Sequence, residues 1–232
     1  MRGLAVIPAR GGSKRLPGKN VRLFHGRPIM AYSIECALRA GCFDEVMVST
    51  DDETIARVAL ECGARVPFRR SEATADDYST TDDVVAEVLD TYERMGERFD
   101  VIACLYATAP LMRAEHLLTG VRSVQSGECD AAFAMVRYSY PVQRALVVRD
   151  GFTVMQHPEH ALSRSQDLEP VYHDAGQFYV ASVQAFREYG GFWGPRTRGI
   201  ELSELEVQDV DSATDWALAE LKYTLLHASG TN

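Results

Sequence analysis

No apolar run in this sequence approaches the roughly 20 residues of a membrane-spanning helix, so a bilayer-spanning role is not expected. The first residues enter a strand-like segment with no leader before it, and a cytoplasmic protein is expected. Cysteine is sparse. The five, Cys36, Cys42, Cys62, Cys104 and Cys129, are odd in number, scattered and without a C-x-x-C pair, which excludes a disulfide framework and predicts reduced thiols. His25, His116, His157, His160 and His227 show no metal-ligand spacing, and no G-x-S-x-G motif supplies a hydrolytic nucleophile. No repeat, low-complexity tract or linker divides the chain, so a single domain over residues 1–232 is expected. A formal charge of −9 leaves no broad cationic surface, which disfavours nucleic acid and anionic membrane as partners.

Asp and Glu are missing from residues 1–34, which hold seven Lys or Arg and leave −16 for the remainder. Positive charge therefore gathers in residues 4–20, LAVIPARGGSKRLPGKN. Four apolar residues suit a buried strand, after which Pro8, Gly11, Gly12, Pro17 and Gly18 leave Arg10, Lys14, Arg15 and Lys19 on a loop. Backbone N–H groups approach an anion closely only where no Cβ intervenes, so a glycine-rich basic loop after a strand suits phosphate. It is not a P-loop: Ser13 stands where the first glycine should be, and Asn20 replaces the metal-binding hydroxyl. The dinucleotide fingerprint fails as well, for want of its third glycine.

Lys and Arg are in turn missing from residues 199–220, which hold seven Asp or Glu. Asp209 and Asp211 are separated by one residue, and in an extended segment such a pair shares a face. Both carboxylates can then reach one hard cation, Mg²⁺, that bridges to phosphates. The plain alternative is that Asp211 caps the following helix and Asp209 is merely solvated.

Residues 28–41 have helical spacing, 45–50 read as a strand and 54–62 as a helix, an order that implies right-handed crossovers and a parallel sheet. A helix over 82–95, the apolar strand VIACLY, a helix over 114–125 and the strand DAAFAMVRY continue it. From Tyr138 the pattern changes. Asp150-Gly151 between two β-rich runs predicts a tight hairpin, part of an arm over about 138–172. FREYGGFWGPRTRG reads as loop, and SATDWALAELKYTLLHA as the last helix. The whole is an α/β domain: a Rossmann-like, twisted, mostly parallel sheet with helices on both faces, plus the hairpin arm. Its apolar alternation lacks a partner in its own domain, so a homodimer is expected.

Residues 4–20 resemble the first motif of the nonulosonic-acid cytidylyltransferases, which activate sialic-type sugars as CMP derivatives. STDDE at 49–53, RRSEATADDYSTTDDV at 69–84, SQDLEP at 165–170 and DVD at 209–211 extend the resemblance over the entire chain. Sialic acid members typically read L-L-Q-P-T-S-P, whereas Tyr106 and Ala107 stand here in place of Gln and Pro; they also read R-Q-D-L-P and N-G, against SQDLEP and HDAGQFY. These departures are similar to the pseudaminate branch. The resemblance implies a nucleotide-diphospho-sugar transferase type of fold, with CTP and a nonulosonic acid as substrates.

In that reaction the anomeric oxygen attacks the α-phosphate of CTP and pyrophosphate leaves, so four negative charges need neutralising and the geometry must be in line. Arg10 and Lys19 are the principal candidates for phosphate, with the backbone of Ala9, Gly11, Gly12 and Ser13; Lys14 is a weaker one. Asn20 offers a donor and an acceptor to the nucleotide, and the resemblance points Arg70, Ser79 and Thr80 towards cytosine or ribose. A plain helix cap explains Ser79 and Thr80 equally well. Asp209 and Asp211 are the candidate metal ligands, Asp211 also the candidate base. Gln166, Asp167, Tyr172 and His173 form one half of a hydrogen-bonding set for the sugar, and Asp174, Gln177 and Tyr179 the other. Tyr106 and Thr108 are expected beside them, at the carboxyl ends of the strands. N-acetylneuraminate or another nonulosonic acid is the nearest alternative reading, and a non-catalytic nucleotide-sugar binding module is the alternative of a different class. Such a module has no need of both Lys19 and the paired aspartates.

Overall fold

The computed structural model describes residues 1–12, 16–75 and 79–228. The chain opens with β1 (Gly3–Pro8), whose apolar residues are buried on both faces. A short ribbon, β2 (Leu23–Phe24) and β3 (Arg27–Pro28), leads into α1 (Ile29–Ala40). Gly41, at φ 63°, ends that helix in the left-handed conformation that glycine tolerates. β4 (Glu45–Ser49) and α2 (Glu53–Glu61) follow, with Asp52 Oδ1 accepting from Ile55 N at 2.9 Å as the helix cap. α3 (Thr81–Arg94), β5 (Val101–Leu105), α4 (Ala114–Gln125) and β6 (Ala131–Arg137) complete the alternating part.

The chain then leaves the main sheet. β7 (Leu146–Arg149) and β8 (Phe152–Met155) pair only with each other, turned by Asp150 at φ 53° and Gly151 at φ 83°, the geometry of a two-residue hairpin loop. β9 (Tyr172–Ser182), α5 (Val183–Tyr189), β10 (Thr197–Leu202) and α6 (Ala213–Ala228) close the chain.

The six-stranded sheet has the order β10-β6-β9-β5-β1-β4. Five strands are parallel, and β9 alone is reversed between β5 and β6. Helices cover both faces, which is why β1 and β5 read as unbroken apolar runs. Ala5, Ile7, Ala103 and Leu105 face Met30 and Ile34 of α1 and Leu117 and Val121 of α4. Leu4, Val6, Ile102 and Cys104 face Val85 and Val88 of α3 and Phe186 of α5. Each fully buried Val, Leu, Ile, Met or Phe among them contributes about 1.5–3 kcal/mol. A third, smaller cluster joins Leu16, Phe24, Ile29 and Tyr32 to Val210 and to Trp216 and Ala219. This cluster brings the end of the basic loop against the acidic segment.

Two elements differ from the sequence reading. Residues 183–189 are helical and 197–202 form an edge strand, so both ends of the 186–199 segment expected as loop are regular structure. Only Ile200 and Leu202 of β10 are buried, and Gly199 lies so close to Met135 that a Cβ would sit 2.1 Å from its sulfur. Two apolar residues among charges carry too little alternation to announce a strand.

Candidate active site

Because β1, β4 and β5 are parallel, the residues following each arrive at one edge of the sheet. Arg10 follows β1, Asp51 follows β4 and Thr108 follows β5. Ala9 N donates to Ser49 O at 3.0 Å, continuing the β1 pairing past its end. The Arg10 carbonyl accepts from Asn20 Nδ2 at 3.0 Å, so the buried Asn20 closes the loop with one of its two amide hydrogens. Gly11 N donates to Asp51 Oδ1 at 3.1 Å, and a Cβ on Gly11 would lie 2.8 Å from Asp52 Oδ2. That crowding requires glycine. Gly12 follows in open space; Ser13 and Lys14 lie outside the described residues.

Arg70 is buried beside the end of β4. Its Nε donates to Ser49 Oγ at 3.1 Å and its Nη2 to Ser49 O at 2.7 Å. Burial lowers its pKa, and the charge of Arg10 acts in the same direction. Ser79 Oγ donates to Ala73 O at 3.1 Å, while Thr80 caps α3, accepting from Asp83 N at 3.1 Å. The helix-cap reading of Thr80 is thus realised; neither hydroxyl is directed at Arg10 or Lys19 by these bonds.

Lys19 reaches across to the acidic segment. Its Nζ donates to Val210 O at 2.6 Å and lies 3.3 Å from Asp211 Oδ1. Val210 is fully buried in the third cluster, which leaves its flanking aspartates on the other side of the chain. The α6 start is held by Ser212 and Asp215 instead of Asp211: Ser212 N donates to Asp215 Oδ2 at 2.8 Å and Asp215 N to Ser212 Oγ at 3.2 Å. The capping role considered for Asp211 therefore falls to Ser212. Burial raises the Asp209 carboxyl, the charge of Asp211 adds to that, and Lys19 opposes it. Among the described residues no group of three His, Cys, Asp or Glu side chains is arranged to hold a metal. Two adjacent carboxylates fit an ion such as Mg²⁺, which takes one or two carboxylates and completes its octahedron with water and phosphate.

Beside the aspartates lies a cavity of about 520 Å³ lined by Tyr106, His173, Asp174, Tyr179 and Asp209. A bulge in β9 shapes it. Met135 pairs with Asp174 and Phe133 with Tyr179, so Ala134 stands opposite four residues, 175–178. Gly176 takes φ 62° there, and its N–H donates to Asp174 Oδ1 at 2.7 Å. The Tyr179 hydroxyl donates to the other Asp174 oxygen. Tyr106 hydrogen-bonds Tyr179 and lies 3.4 Å from Thr81 Oγ1, giving a polar chain from α3 through β5 to β9. Burial raises the phenol of Tyr106; burial and then the bond to Asp174 raise that of Tyr179 still further.

The remaining expected sugar residues are dispersed. Tyr172 begins β9 opposite Arg137. Gln166 lines a second cavity of about 490 Å³, which shares Arg137 and Tyr138 with the first. Asp167 is paired within the arm, to Arg164 at 2.7 and 3.2 Å. Gln177 is turned inward, buried, with Nε2 donating to Glu206 O, so it does not face the cavity as expected. Lys222, unnoticed in the sequence, also lines the first cavity, its Nζ donating to Val207 O at 2.6 Å. It stands alone on a helix face without a motif to mark it.

The fold recurs in solved structures. CMP:2-keto-3-deoxy-manno-octonic acid synthetase complexed with CTP superposes with a TM-score of 0.71 at 19% identity, covering 98% of this chain and 100% of that one. 4-Diphosphocytidyl-2C-methyl-D-erythritol synthase from Anaerococcus prevotii gives 0.65 at 11%, covering 96% and 98%. A mostly parallel sheet with one reversed strand, a basic glycine loop after β1 and an acidic pair against it define a nucleotidyltransferase type of domain. A family model described as Cytidylyltransferase matches residues 4–193, and the chain belongs to that family. Pseudaminic acid cytidylyltransferase of Campylobacter jejuni is 40% identical over 99% of each chain. CMP-N,N'-diacetyllegionaminic acid synthase of Legionella pneumophila is 37% identical over 95% of each. N-acylneuraminate cytidylyltransferase of Streptococcus agalactiae is 28% identical over 93% of this chain and 52% of that one.

Proposed function

We propose that this protein is a CTP-dependent transferase that moves CMP onto pseudaminic acid and releases pyrophosphate. The observation that carries the reading is the convergence of the loop cation Lys19, the paired Asp209 and Asp211, and the Tyr106–Tyr179–Asp174 chain at one sheet edge. The sugar's anomeric oxygen forms a bond to the α-phosphorus of CTP, the α–β phosphoanhydride bond breaks, and the hydroxyl proton passes to Asp211. Arg10, Lys19 and the N–H groups after Ala9 neutralise and orient the triphosphate, which lowers the barrier chiefly by electrostatics and positioning. Asp209 and Asp211 would hold Mg²⁺, which supplies charge neutralisation at the phosphates. Arg70 keeps the nucleoside end of the site rigid. Tyr106, Asp174 and Tyr179 select the sugar; His173 and Gln166 extend that surface.

Pseudaminic acid is preferred over N-acetylneuraminate for two reasons. Tyr106 and Ala107 replace the Gln and Pro typical of sialic acid enzymes, and the two relatives named for pseudaminic acid that align over 99% of their length match at 39–40%, against 28% for the streptococcal neuraminate enzymes. The test is pyrophosphate release from CTP with Mg²⁺ and a panel of nonulosonic acids. Release with pseudaminic acid is the expected result. Release with no acid overturns the enzymatic reading, and release only with N-acetylneuraminate overturns the substrate. The arm, with its exposed apolar residues, is proposed to pair two copies of the chain into a homodimer.

A further inference from the structure

Between the end of β10 at Leu202 and the start of α6 at Ala213, the chain runs through a single short turn, Glu204–Glu206, and no strand. That stretch carries Asp209 and Asp211. No ladder of backbone bonds holds it, so its position depends on side chains from elsewhere. Lys19 holds it at Val210 O and Lys222 at Val207 O. The third point of attachment is Glu206.

Glu206 is 8% exposed. Its Oε1 is ion-paired with Arg113 Nε at 2.7 Å, and its Oε2 lies 3.4 Å from His116 Nε2 and accepts from Ser203 N at 3.1 Å. Its carbonyl accepts from Gln177 Nε2. Arg113 and His116 belong to the start of α4, and Gln177 to the bulge of β9. One buried residue thus ties the acidic stretch to a helix on one face of the sheet and to the strand that shapes the sugar cavity. The local cap over a three-residue turn accounts only for the Ser203 contact, and a neutral Gln would satisfy it. Burying a carboxylate costs several kcal/mol unless its partners are well placed, and here they come from an element 90 or more residues away in sequence.

We propose that Glu206 is a positioning residue, a clasp that fixes the 207–211 stretch so that Asp209 and Asp211 present their carboxylates together to the metal and triphosphate. The inference rests on the metal role given to those two aspartates. Glu206→Gln keeps the size, the cap and the backbone carbonyl that Gln177 uses, but removes the charge that Arg113 and His116 share, leaving Arg113 with Glu115 at 3.4 Å. Mn²⁺ binding in the presence of CTP, read by electron paramagnetic resonance against a protein-free CTP control, is compared in wild type, Glu206→Gln and Asp211→Asn. The expected result is a Mn²⁺ dissociation constant raised about 10-fold or more in Glu206→Gln, the scale of losing a group that orients a metal ligand. Excess Mg²⁺ should restore most of its turnover, with the KM for the sugar acid unchanged. Arg113→Gln, at a half-exposed position, should shift Mn²⁺ binding the same way by less, and it carries the test if Glu206→Gln does not fold. Wild-type Mn²⁺ affinity in both clasp variants, with binding lost in Asp211→Asn, overturns the clasp alone. Wild-type affinity in Asp211→Asn overturns the metal reading and the clasp with it.

Discussion

Lys19 and Asp211 lie 192 positions apart in sequence and 3.3 Å apart in space. Because both side chains keep some solvent contact, the pair contributes at most about 1 kcal/mol to stability. In the proposed mechanism its weight falls on catalysis: Lys19→Ala should lower kcat by about 10²–10³, the range for removing one electrostatic stabiliser, with the melting temperature almost unchanged. More than a tenth of wild-type turnover in a steady-state pyrophosphate assay would contradict that role. Asp209 gives the complementary test. Its folded carboxyl is raised, first by burial, so the native state holds its proton more tightly than the unfolded chain does. That contribution is fully favourable below the unfolded value of about 3.9 and is lost as pH rises through the raised folded value. Because Asp209 keeps solvent access, the penalty in the metal-free protein at pH 7 is small, and Asp209→Asn should melt slightly above wild type there, with the advantage gone in acid. A variant less stable than wild type at pH 7 would reverse the sign. These two residues were legible in the sequence because charge segregation marks both ends of the contact. Gln177 was not: polarity says nothing about direction, and its amide went to the Glu206 carbonyl.

At the scale of elements, the bulge in β9 decides the shape of the cavity beside Asp209. It holds together through Gly176, whose φ of 62° costs other residues about 1–2 kcal/mol, and through the Asp174 carboxylate shared between Gly176 N and the Tyr179 hydroxyl. Gly176→Ala should lose about that much stability in urea unfolding. It should also raise the KM for the sugar acid about ten-fold or more by displacing Asp174, while the KM for CTP stays unchanged. An unaltered sugar KM would show that the bulge is only architectural. The helices and central strands were readable because their periodicity coincides with burial on known faces, as in Val85, Val88 and Tyr92 of α3. The bulge was hidden since three extra residues leave the apolar content of β9 intact. α5 escaped notice because seven residues give barely two turns of periodicity.

For the whole molecule, strand alternation with helices specified a parallel sheet but not its order, since which strands become neighbours depends on long-range packing that local pattern does not encode. The reversed β9 follows from the arm: the chain leaves β6 at Arg137 and re-enters at Tyr172 from the same end. That arm is what a single chain leaves unfinished. Leu146 is 63% exposed, Val148 72% and Phe152 75%, and the pairing of Val148 with Thr153 and Arg149 with Phe152 puts apolar groups on both faces of the hairpin. An isolated two-stranded ribbon is marginal in water, and contiguous exposed apolar surface of this kind marks an association site. A second copy offers the same ribbon, which suits a closed, two-fold interface. Sedimentation should give twice the 25.7 kDa chain mass at working concentration, and Val148→Asp combined with Phe152→Glu should return it to the chain mass. Tyr138, Ser139 and Gln166, on the excursion between β6 and β9, line the two adjoining cavities, so the separated variant should also bind the sugar acid more weakly at an unchanged KM for CTP. A wild-type chain that sediments as a monomer would remove the arm as an interface, and a variant that stays dimeric would put the contact elsewhere.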